Sequence, residues 1–258
     1  MNSLIQLDLI DLGIAVGMAA IAIGLSAWQQ LGLEWKLALA TVRTIVQLLV
    51  VGSILQVVFT WNHPLAMAAL LLVMLTIAAI VARNRMQAEI PGLLGLVWGA
   101  IGIGTAFTLL YVNTLVLRQP ETWSNPQYLV PLGGMMMGNA MNAAAIAGER
   151  FVSSVKSKRL EIETHLCLGA TPQQAISTYR KDAVRAGTIS ILNSMMVVGL
   201  VTLPGIITGQ LLSGVDPLDA AAYQILIMFS IAMTNFVATI ILVEGLGRRF
   251  FNASAQLQ

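Results

Sequence analysis

Seven long runs of apolar residues constrain this chain more than any other feature of its sequence. A helix needs roughly 20 mostly apolar residues to cross a bilayer, because ~30 Å of hydrocarbon is covered at about 1.5 Å per residue. The runs are unbroken rather than alternating, which disfavours the strands of a membrane barrel. We therefore predict an all-α polytopic membrane protein with about seven transmembrane helices. The predicted spans are residues 12–33, 37–60, 64–82, 91–117, 129–147, 187–207 and 220–243.

Composition points to the same class of protein. Of the 258 residues, 57% are hydrophobic and 10% are charged, whereas about 25% of residues are charged in an ordinary soluble domain. This balance excludes a soluble enzyme, a disordered chain and a nucleic-acid binder. The single cysteine, Cys167, excludes an internal disulfide and a cysteine metal cage. The first residues include two Asp and no Lys or Arg, so we expect no cleaved secretory signal.

The positions of the basic residues predict the orientation of the chain. Twelve of the 14 Lys and Arg residues fall on one side of a seven-span arrangement, and short cytoplasmic loops carry an excess of Lys and Arg. Arg43 lies inside the second run, and Arg118 is the one basic residue of the opposite loops. We therefore expect the N-terminus outside the cell and the C-terminus in the cytoplasm.

One long segment, residues 148–186, separates the fifth and sixth runs on the predicted cytoplasmic side. It holds seven of the 14 basic residues. A rough apolar stripe predicts that the fifth span continues as a helix out of the membrane, as far as a glycine stop at Gly169. Thr171, Pro172 and Gln174 then form a helix start with a capping box. The segment is predicted to form an elbow, in which a helix, a sharp turn and a second helix lead into the sixth span.

The sequence of this elbow resembles the E-A-A-x-x-x-G loop of ABC transporter permeases. In that family the loop is a coupling helix, which docks in a cleft of a separate ATPase subunit. Thr164 and His165 replace the two alanines of the family pattern. An ordinary helical hairpin in a cytoplasmic loop is the alternative interpretation. The residues that match the pattern are Glu163, Leu166, Leu168, Gly169, Ala170, Thr171 and Pro172. Of these, the resemblance assigns ATPase coupling to Glu163, Leu166, Gly169, Ala170, Thr171 and Pro172.

Further strings extend the resemblance over nearly the whole chain, from about Arg43 to Arg249. They resemble the iron-export permease family of ABC transporters, the Fet type, which has plant aluminium-tolerance relatives. The resemblance implies a permease in metal homeostasis that exports iron, but a non-metal cargo stays open because some relatives are linked to nucleotide sugars. The strings are Arg43-Thr-Ile-Val-Gln-Leu-Leu, Gly138-Asn139-Ala-Met-Asn142 and Leu203-Pro204-Gly205-Ile-Ile-Thr208-Gly209-Gln210, followed by Asp216-Pro217.

The resemblance also implies how the permease is organised. We expect one transmembrane permease domain over residues 1–258, with the coupling segment at 148–186, in the cell inner (plasma) membrane. Because one coupling loop serves one ATPase, we expect a homodimer of the permease with two ATPase subunits. The chain contains no Walker A string and no Gly-Lys pair, so it cannot hold ATP phosphates in a P-loop. We therefore expect no enzymatic activity and no cofactor in this chain itself, with ATP and Mg²⁺ bound by the partner subunit.

Two other classes of function remain as alternatives. One is a seven-span receptor or adaptor without transport, whose basic loop would hold a signalling partner. The other is a secondary carrier. No Asp or Glu lies well inside a span, and proton- or sodium-coupled carriers usually need such groups.

Polar and sulfur-containing residues within the spans are candidates for a substrate pathway. Methionine thioethers bind soft ions and asparagine oxygens suit harder ones, although Gly, Ala, Asn and Met in a span also serve close helix packing. We expect no tight iron site, because the spans contain no carboxylate, histidine or cysteine cluster. The candidates are Arg43, Gln47, Met137, Asn139, Met141, Asn142, Asn193, Pro204, Gly205, Thr208 and Gln210, with Met195 and Met196 beside Asn193.

Two of these groups have further interpretations. Arg43 and Gln47 share one helix face, and Arg43 can equally be a gating residue or a structural anchor that snorkels to the membrane edge. The Pro204-Gly205 pair is predicted to break or kink the sixth span near its outer end. Thr208 and Gln210 would then present polar groups at an outer gate, or else belong to a plain helix end before a turn.

Overall fold

The computed structural model describes residues 8–61, 63–86, 90–123, 125–252 and 256–257. This part of the chain is helical and contains no β-strand beyond two isolated bridges, so the all-α prediction is confirmed. A π-helical segment, Val112–Leu117, and a 3₁₀ turn, Pro120–Trp123, follow the fourth helix. The α-helices are α1 (Leu9–Trp28), α2 (Glu34–Trp61), α3 (Pro64–Arg85), α4 (Leu93–Tyr111), α5 (Pro126–Ser157), α6 (Arg159–Cys167), α7 (Pro172–Ala175), α8 (Ser177–Val197), α9 (Gly205–Leu212) and α10 (Pro217–Arg249).

Three of the long helices begin with the same local signal, a capping side chain followed by proline. His63 Nδ1 accepts a hydrogen bond from the Leu65 N–H at the start of α3, at 3.2 Å. Proline is favoured at the first helical position, because its missing N–H would have no partner there in any case. Asn125 and Asp216 cap α5 and α10 in the same way, each through a side-chain oxygen that accepts a backbone N–H.

Within the described residues, five helical segments are long and apolar enough to cross a membrane, and the chain is therefore a multi-pass membrane protein. The exact number of seven spans and the orientation of the termini stay predictions. The five segments are Ile10–Trp28, Glu34–Trp61, Pro64–Arg85, Leu93–Leu117 and Pro217–Arg249.

Helices α5 and α8 cover the fifth and part of the sixth predicted span but are less apolar than the other five. In α5, Gly138, Asn139 and Asn142 lower the hydropathy in the middle of the helix. In α8, the first turns carry Arg180 and Lys181, so that its apolar part is short.

The sixth predicted span is not one helix, and this prediction was wrong. We expected a helix through residues 187–207 with a break or kink at Pro204-Gly205, but α8 already ends at Val197 and α9 begins only at Gly205. Gly199 has φ +81°, a left-handed conformation that glycine adopts without steric cost. The Thr202 carbonyl accepts the Gly199 N–H at 2.9 Å, which closes a turn. The chain therefore leaves the helix before Pro204, and the glycine rather than the proline ends it.

The helices form two compact units, which are described separately. The first unit contains α1 and α2 together with Leu212–Gly214, and α1 packs along α2. The turn between these helices has Gln30 and Gly32 at positive φ. Ser26 at the end of α1 donates a hydrogen bond to the carboxylate of Glu34 at the start of α2, at 2.9 Å. The expectation of a single permease domain stays a prediction.

The second unit contains α3 to α8, most of α9, and α10, and its core lies where α10 packs against α4, α5 and α8. Small residues bring these helices close together. A Cβ atom on Gly104 of α4 would lie 3.1 Å from the Thr234 carbonyl of α10. A Cβ atom on Gly187 of α8 would lie 2.6 Å from the Ala143 carbonyl of α5. Glycine is therefore needed at these two positions for backbones to approach this closely.

Candidate functional site

The elbow begins with a bend that the sequence did not predict. We expected one helix from the fifth span to Gly169, but Lys158 leaves the helical conformation and separates α5 from α6. The bend turns Ile162 into the core, where it is fully buried beside Val155. Burial of this apolar side chain favours the bent arrangement.

The turn after α6 agrees with the sequence prediction. Gly169 has φ +91°, as expected for a glycine that ends a helix. Thr171 Oγ1 accepts a hydrogen bond from the Gln174 N–H at 3.3 Å, and Gln174 Oε1 accepts one from the Thr171 N–H at 2.9 Å. The predicted capping box is therefore confirmed. The helix that was predicted to follow this turn is divided in two, because Ile176 separates the single turn α7 from α8.

The two arms of the elbow are joined by a hydrogen bond from Tyr179 in α8 to Glu161 in α6. Burial of the phenol, together with this hydrogen bond, raises the pKa of Tyr179 to about 12. The same hydrogen bond, with a weaker contribution from Lys158, lowers the pKa of Glu161. The phenol therefore stays protonated and the carboxylate ionised near neutral pH, the states in which this hydrogen bond is strongest. No sequence signal pairs these two residues.

Two large apolar side chains lie on the surface of this otherwise polar elbow. Leu160 is 79% exposed and Leu168 is 80% exposed. Among the predicted coupling residues, Glu163 accepts a hydrogen bond from Arg159 at 2.8 Å. The structure brings the predicted coupling residues together in α6, the turn and α7. The half-buried ones are Glu163, Leu166, Ala170 and Pro172, and the exposed ones are Gly169 and Thr171.

The candidate pathway residues of α5 divide between two faces of the helix. Met137 is buried in the core and Met141 packs against that core, so both serve packing. Asn139 and Asn142 lie on the exposed face. Asn142 Oδ1 accepts a hydrogen bond from Arg85 at the end of α3, at 2.8 Å. No local sequence pattern pairs Arg85 with Asn142, because the two residues are far apart in the chain.

The other candidate pathway residues lie on other helices or next to α9. Arg43 and Gln47 are exposed in α2 of the first unit. Asn193 and Met196 are exposed on α8, whereas Met195 packs into a second core cluster. At the start of α9, Pro204 is half-buried and Gly205 is exposed. The Thr208 hydroxyl donates a hydrogen bond to the Pro204 carbonyl at 3.2 Å. The side-chain oxygen of Gln210, Oε1, is buried and has no hydrogen-bond partner.

The described residues offer no preformed cage for a metal ion. No three His, Cys, Asp or Glu side chains within residues 8–61, 63–86, 90–123, 125–252 and 256–257 lie close enough together to hold one. The polar groups on the exposed face of α5 are instead amides and a guanidinium.

Comparison with known proteins identifies the family. Residues 9–251 match the family described as "Uncharacterised protein family (UPF0014)". The chain belongs to this family. It is 50% identical over 256 residues to "UPF0014 membrane protein slr1647" of Synechocystis, which covers 99% of this chain and 98% of the relative. No solved structure matches the chain significantly.

Two further relatives carry informative names. The chain is 31% identical over 247 residues to the "Probable iron export permease protein FetB" of Escherichia coli, covering 96% of this chain and 93% of the relative. It is 31% identical over 244 residues to "Protein ALUMINUM SENSITIVE 3" of Arabidopsis thaliana, covering 95% and 88%. The resemblance to the iron-export permeases and their plant relatives is therefore confirmed.

Replacing Thr171 with valine tests whether the capping box fixes the elbow. Thr171→Val keeps the shape of the side chain but removes the oxygen that accepts the Gln174 N–H. Loss of such a cap lowers the free energy of local helix unfolding by about 1 kcal/mol, which raises the equilibrium constant for local opening roughly five-fold. We expect faster hydrogen–deuterium exchange of the α7 amides by about that factor. Thr164→Val is the matched control, because Thr164 Oγ1 bonds only to its own helix, and unchanged α7 exchange in Thr171→Val would contradict the prediction.

Proposed function

We propose that this protein is the permease subunit of an ABC transporter, which exports iron or a related metal with ATP hydrolysed by a separate ATPase subunit. The observation that carries the proposal is the capped elbow between α5 and α8, with its exposed leucines. Two features support it further: the multi-pass membrane fold and the relative named as a probable iron export permease.

The elbow has the properties that a docking element needs. Its turn is fixed by Gly169 and by the capping box, so little conformational entropy is lost when a partner binds. Leu168 and Leu160 expose apolar surface that a cleft on a partner can cover. The ATPase supplies the site for ATP and Mg²⁺, and the permease supplies no catalytic group of its own. The proposed orientation, with the N-terminus outside the inner membrane, places the elbow in the cytoplasm, where ATP is available.

The exposed polar face of α5 supports a homodimer. A side-chain amide keeps hydrogen-bonding capacity beyond a single bond, such as that from Asn139 to the Met135 carbonyl, and this capacity is costly to leave unfilled against lipid hydrocarbon. Asn139 and Asn142 nevertheless lie on the exposed face in the middle of α5, beside Gly138. A second copy of the chain would cover this face, and the two sets of amides would line a polar pathway between the copies. Two copies would also present two elbows to two ATPase subunits.

Replacing Leu168 with arginine tests the docking of the ATPase. We expect Leu168→Arg to abolish recovery of a Walker-containing ATPase when the tagged permease is purified from its own cells, because a charge would enter an apolar contact. Leu200→Arg is the matched control: Leu200 is 87% exposed but lies beyond the far end of α8, about 30 Å along the helix. If the unchanged permease recovers a regulatory protein and no ATPase, the result would contradict the proposal and favour a receptor or adaptor.

Disulfide cross-linking tests the dimer face. In a Cys167→Ser background, Asn139→Cys should give a covalent dimer in oxidised membranes, because position 139 would face its copy across the interface. Ile103→Cys is the control, since Ile103 is 55% exposed on α4, away from the polar face. Equal cross-linking at both positions would indicate random collision and would count against this interface.

The cargo is tested by the metal content of cells. Cells that lack the protein should accumulate iron, measured by mass spectrometry, and the unchanged gene should restore the normal content. Gly169→Leu should fail to restore it, because a leucine at φ +91° strains the turn. Iron content that does not change in the deletion strain would overturn the iron assignment, while the ATPase pull-down would still decide the permease role.

A further inference from the structure

An ion pair connects the elbow to the end of α10. Arg180, in the first turn of α8 directly after the elbow, pairs with Glu244 near the carboxyl end of α10. The two side chains are 29% and 34% exposed. By contrast, the ion pairs within α6 and within α8 join neighbouring residues of one helix and are more exposed. The Arg180–Glu244 pair is therefore the ion pair that ties the elbow to another helix in the described part of the chain.

Close packing surrounds this pair. A Cβ atom on Gly247 of α10 would lie 2.9 Å from Ile176 Cδ1, so the elbow contacts the backbone of α10 directly. Phe250, which follows α10, packs edge-on against Phe151 of α5, with ring centroids 5.7 Å apart. The two charged groups also line a cavity of about 300 Å³ that reaches from the α7 residues Pro172 and Gln173 to α10.

The same end of α10 is tied to α4. Arg249 donates a hydrogen bond to the Pro91 carbonyl, which lies immediately before the start of α4. Deeper in the bundle, the hydroxyl of Thr234 in α10 donates to that of Thr108 in α4 at 3.0 Å. A displacement of the end of α10 would therefore be passed to α4 through two separate hydrogen bonds.

The connection to α5 is different. The elbow also packs against α5 through the buried Ile162, but along the chain the two are joined at Lys158, which breaks the helix and is exposed. A broken helix bends at the break more easily than it transmits a push along its axis. The half-buried ion pair, in contrast, resists separation, because the Arg180 guanidinium would lose its carboxylate partner, while Glu244 would keep only the more exposed Arg248.

We infer that the Arg180–Glu244 pair is the positioning link through which the elbow moves α10, so that α10 and α4 carry the ATP-driven movement across the membrane. This inference rests on the proposed function, because it requires an ATPase that moves the elbow. Neither residue contacts cargo or nucleotide in this role. Each acts by holding the elbow against α10.

Spin labels at the two ends of this route test the inference in the complex of permease and ATPase. One label is attached to the natural Cys167 in the elbow, which is exposed. The other label is attached to a second protein, which carries Leu218→Cys and has its natural cysteine removed by Cys167→Ser. Leu218 lies at the far end of α10 and is 80% exposed. The electron paramagnetic resonance spectra are compared without nucleotide and with ATP and vanadate, after pull-down shows that each labelled complex is intact.

In the unchanged protein we expect both labels to respond to ATP and vanadate. In Glu244→Gln and in Arg180→Gln, the label at residue 167 should still respond and the label at residue 218 should not. Glu244→Gln leaves the Arg180 charge without its partner, whereas Arg180→Gln leaves Glu244 paired with Arg248 at 3.8 Å. The double variant Arg180→Gln/Glu244→Gln removes the unpaired Arg180 charge, so its melting temperature should recover from that of Glu244→Gln toward that of the unchanged protein. Its response at residue 218 should stay lost, because the link is still absent.

A merely structural pair would give the opposite result in the double variant, where recovery of stability would restore the response at residue 218. That outcome, or a response at residue 218 that persists in the single variants, would overturn the inference. The matched control is the pair Asp182 and Arg185, 3.6 Å apart on the surface of α8. Asp182→Asn and Arg185→Gln should leave both responses intact. Absence of any ATP response at residue 167 in the unchanged protein would instead contradict the proposed function.

Discussion

Close packing of α10 against α4, α5 and α8 is the constraint on which the rest of the second unit depends. In lipid, helix association gains little from the hydrophobic effect, so it relies on van der Waals contact and interhelical hydrogen bonds. Gly104 and Gly247 let neighbouring groups approach the backbone of their helices, and the buried Thr108–Thr234 hydrogen bond lies between two such helices. A larger side chain at either glycine would push the helices apart and weaken the van der Waals contacts and hydrogen bonds between them. The position of the elbow therefore depends on this packing as much as on its own turn.

Local signals in the sequence were sufficient for the turn of the elbow and for the helix starts. Gly169 and Thr171 act through their own backbone conformation and through a hydrogen bond three residues away, so neighbouring residues determine the outcome. The same is true of Asn125 and Asp216, which cap the helices that follow them.

Other features could not be predicted because they are set by distant parts of the chain. The bend at Lys158 follows from burial of Ile162 in a core that other helices complete. The pairing of Arg180 with Glu244, like that of Arg85 with Asn142, joins helices that only the tertiary fold brings together. Hydropathy also failed to separate α8 from α9, since apolar residues continue through the turn that Gly199 forms.

The composition of α5 reflects two demands that conflict within one helix. One face must be small and apolar, and Ala140 and Ala144 are fully buried there. The other face carries Asn139 and Asn142, which a cargo pathway can use but which lipid solvates poorly. A helix that meets both demands cannot be as apolar as an ordinary span, and this explains why α5 is less apolar than the five evident spans. Low hydropathy in the helix that leads into the elbow is therefore the mark of its exposed polar face.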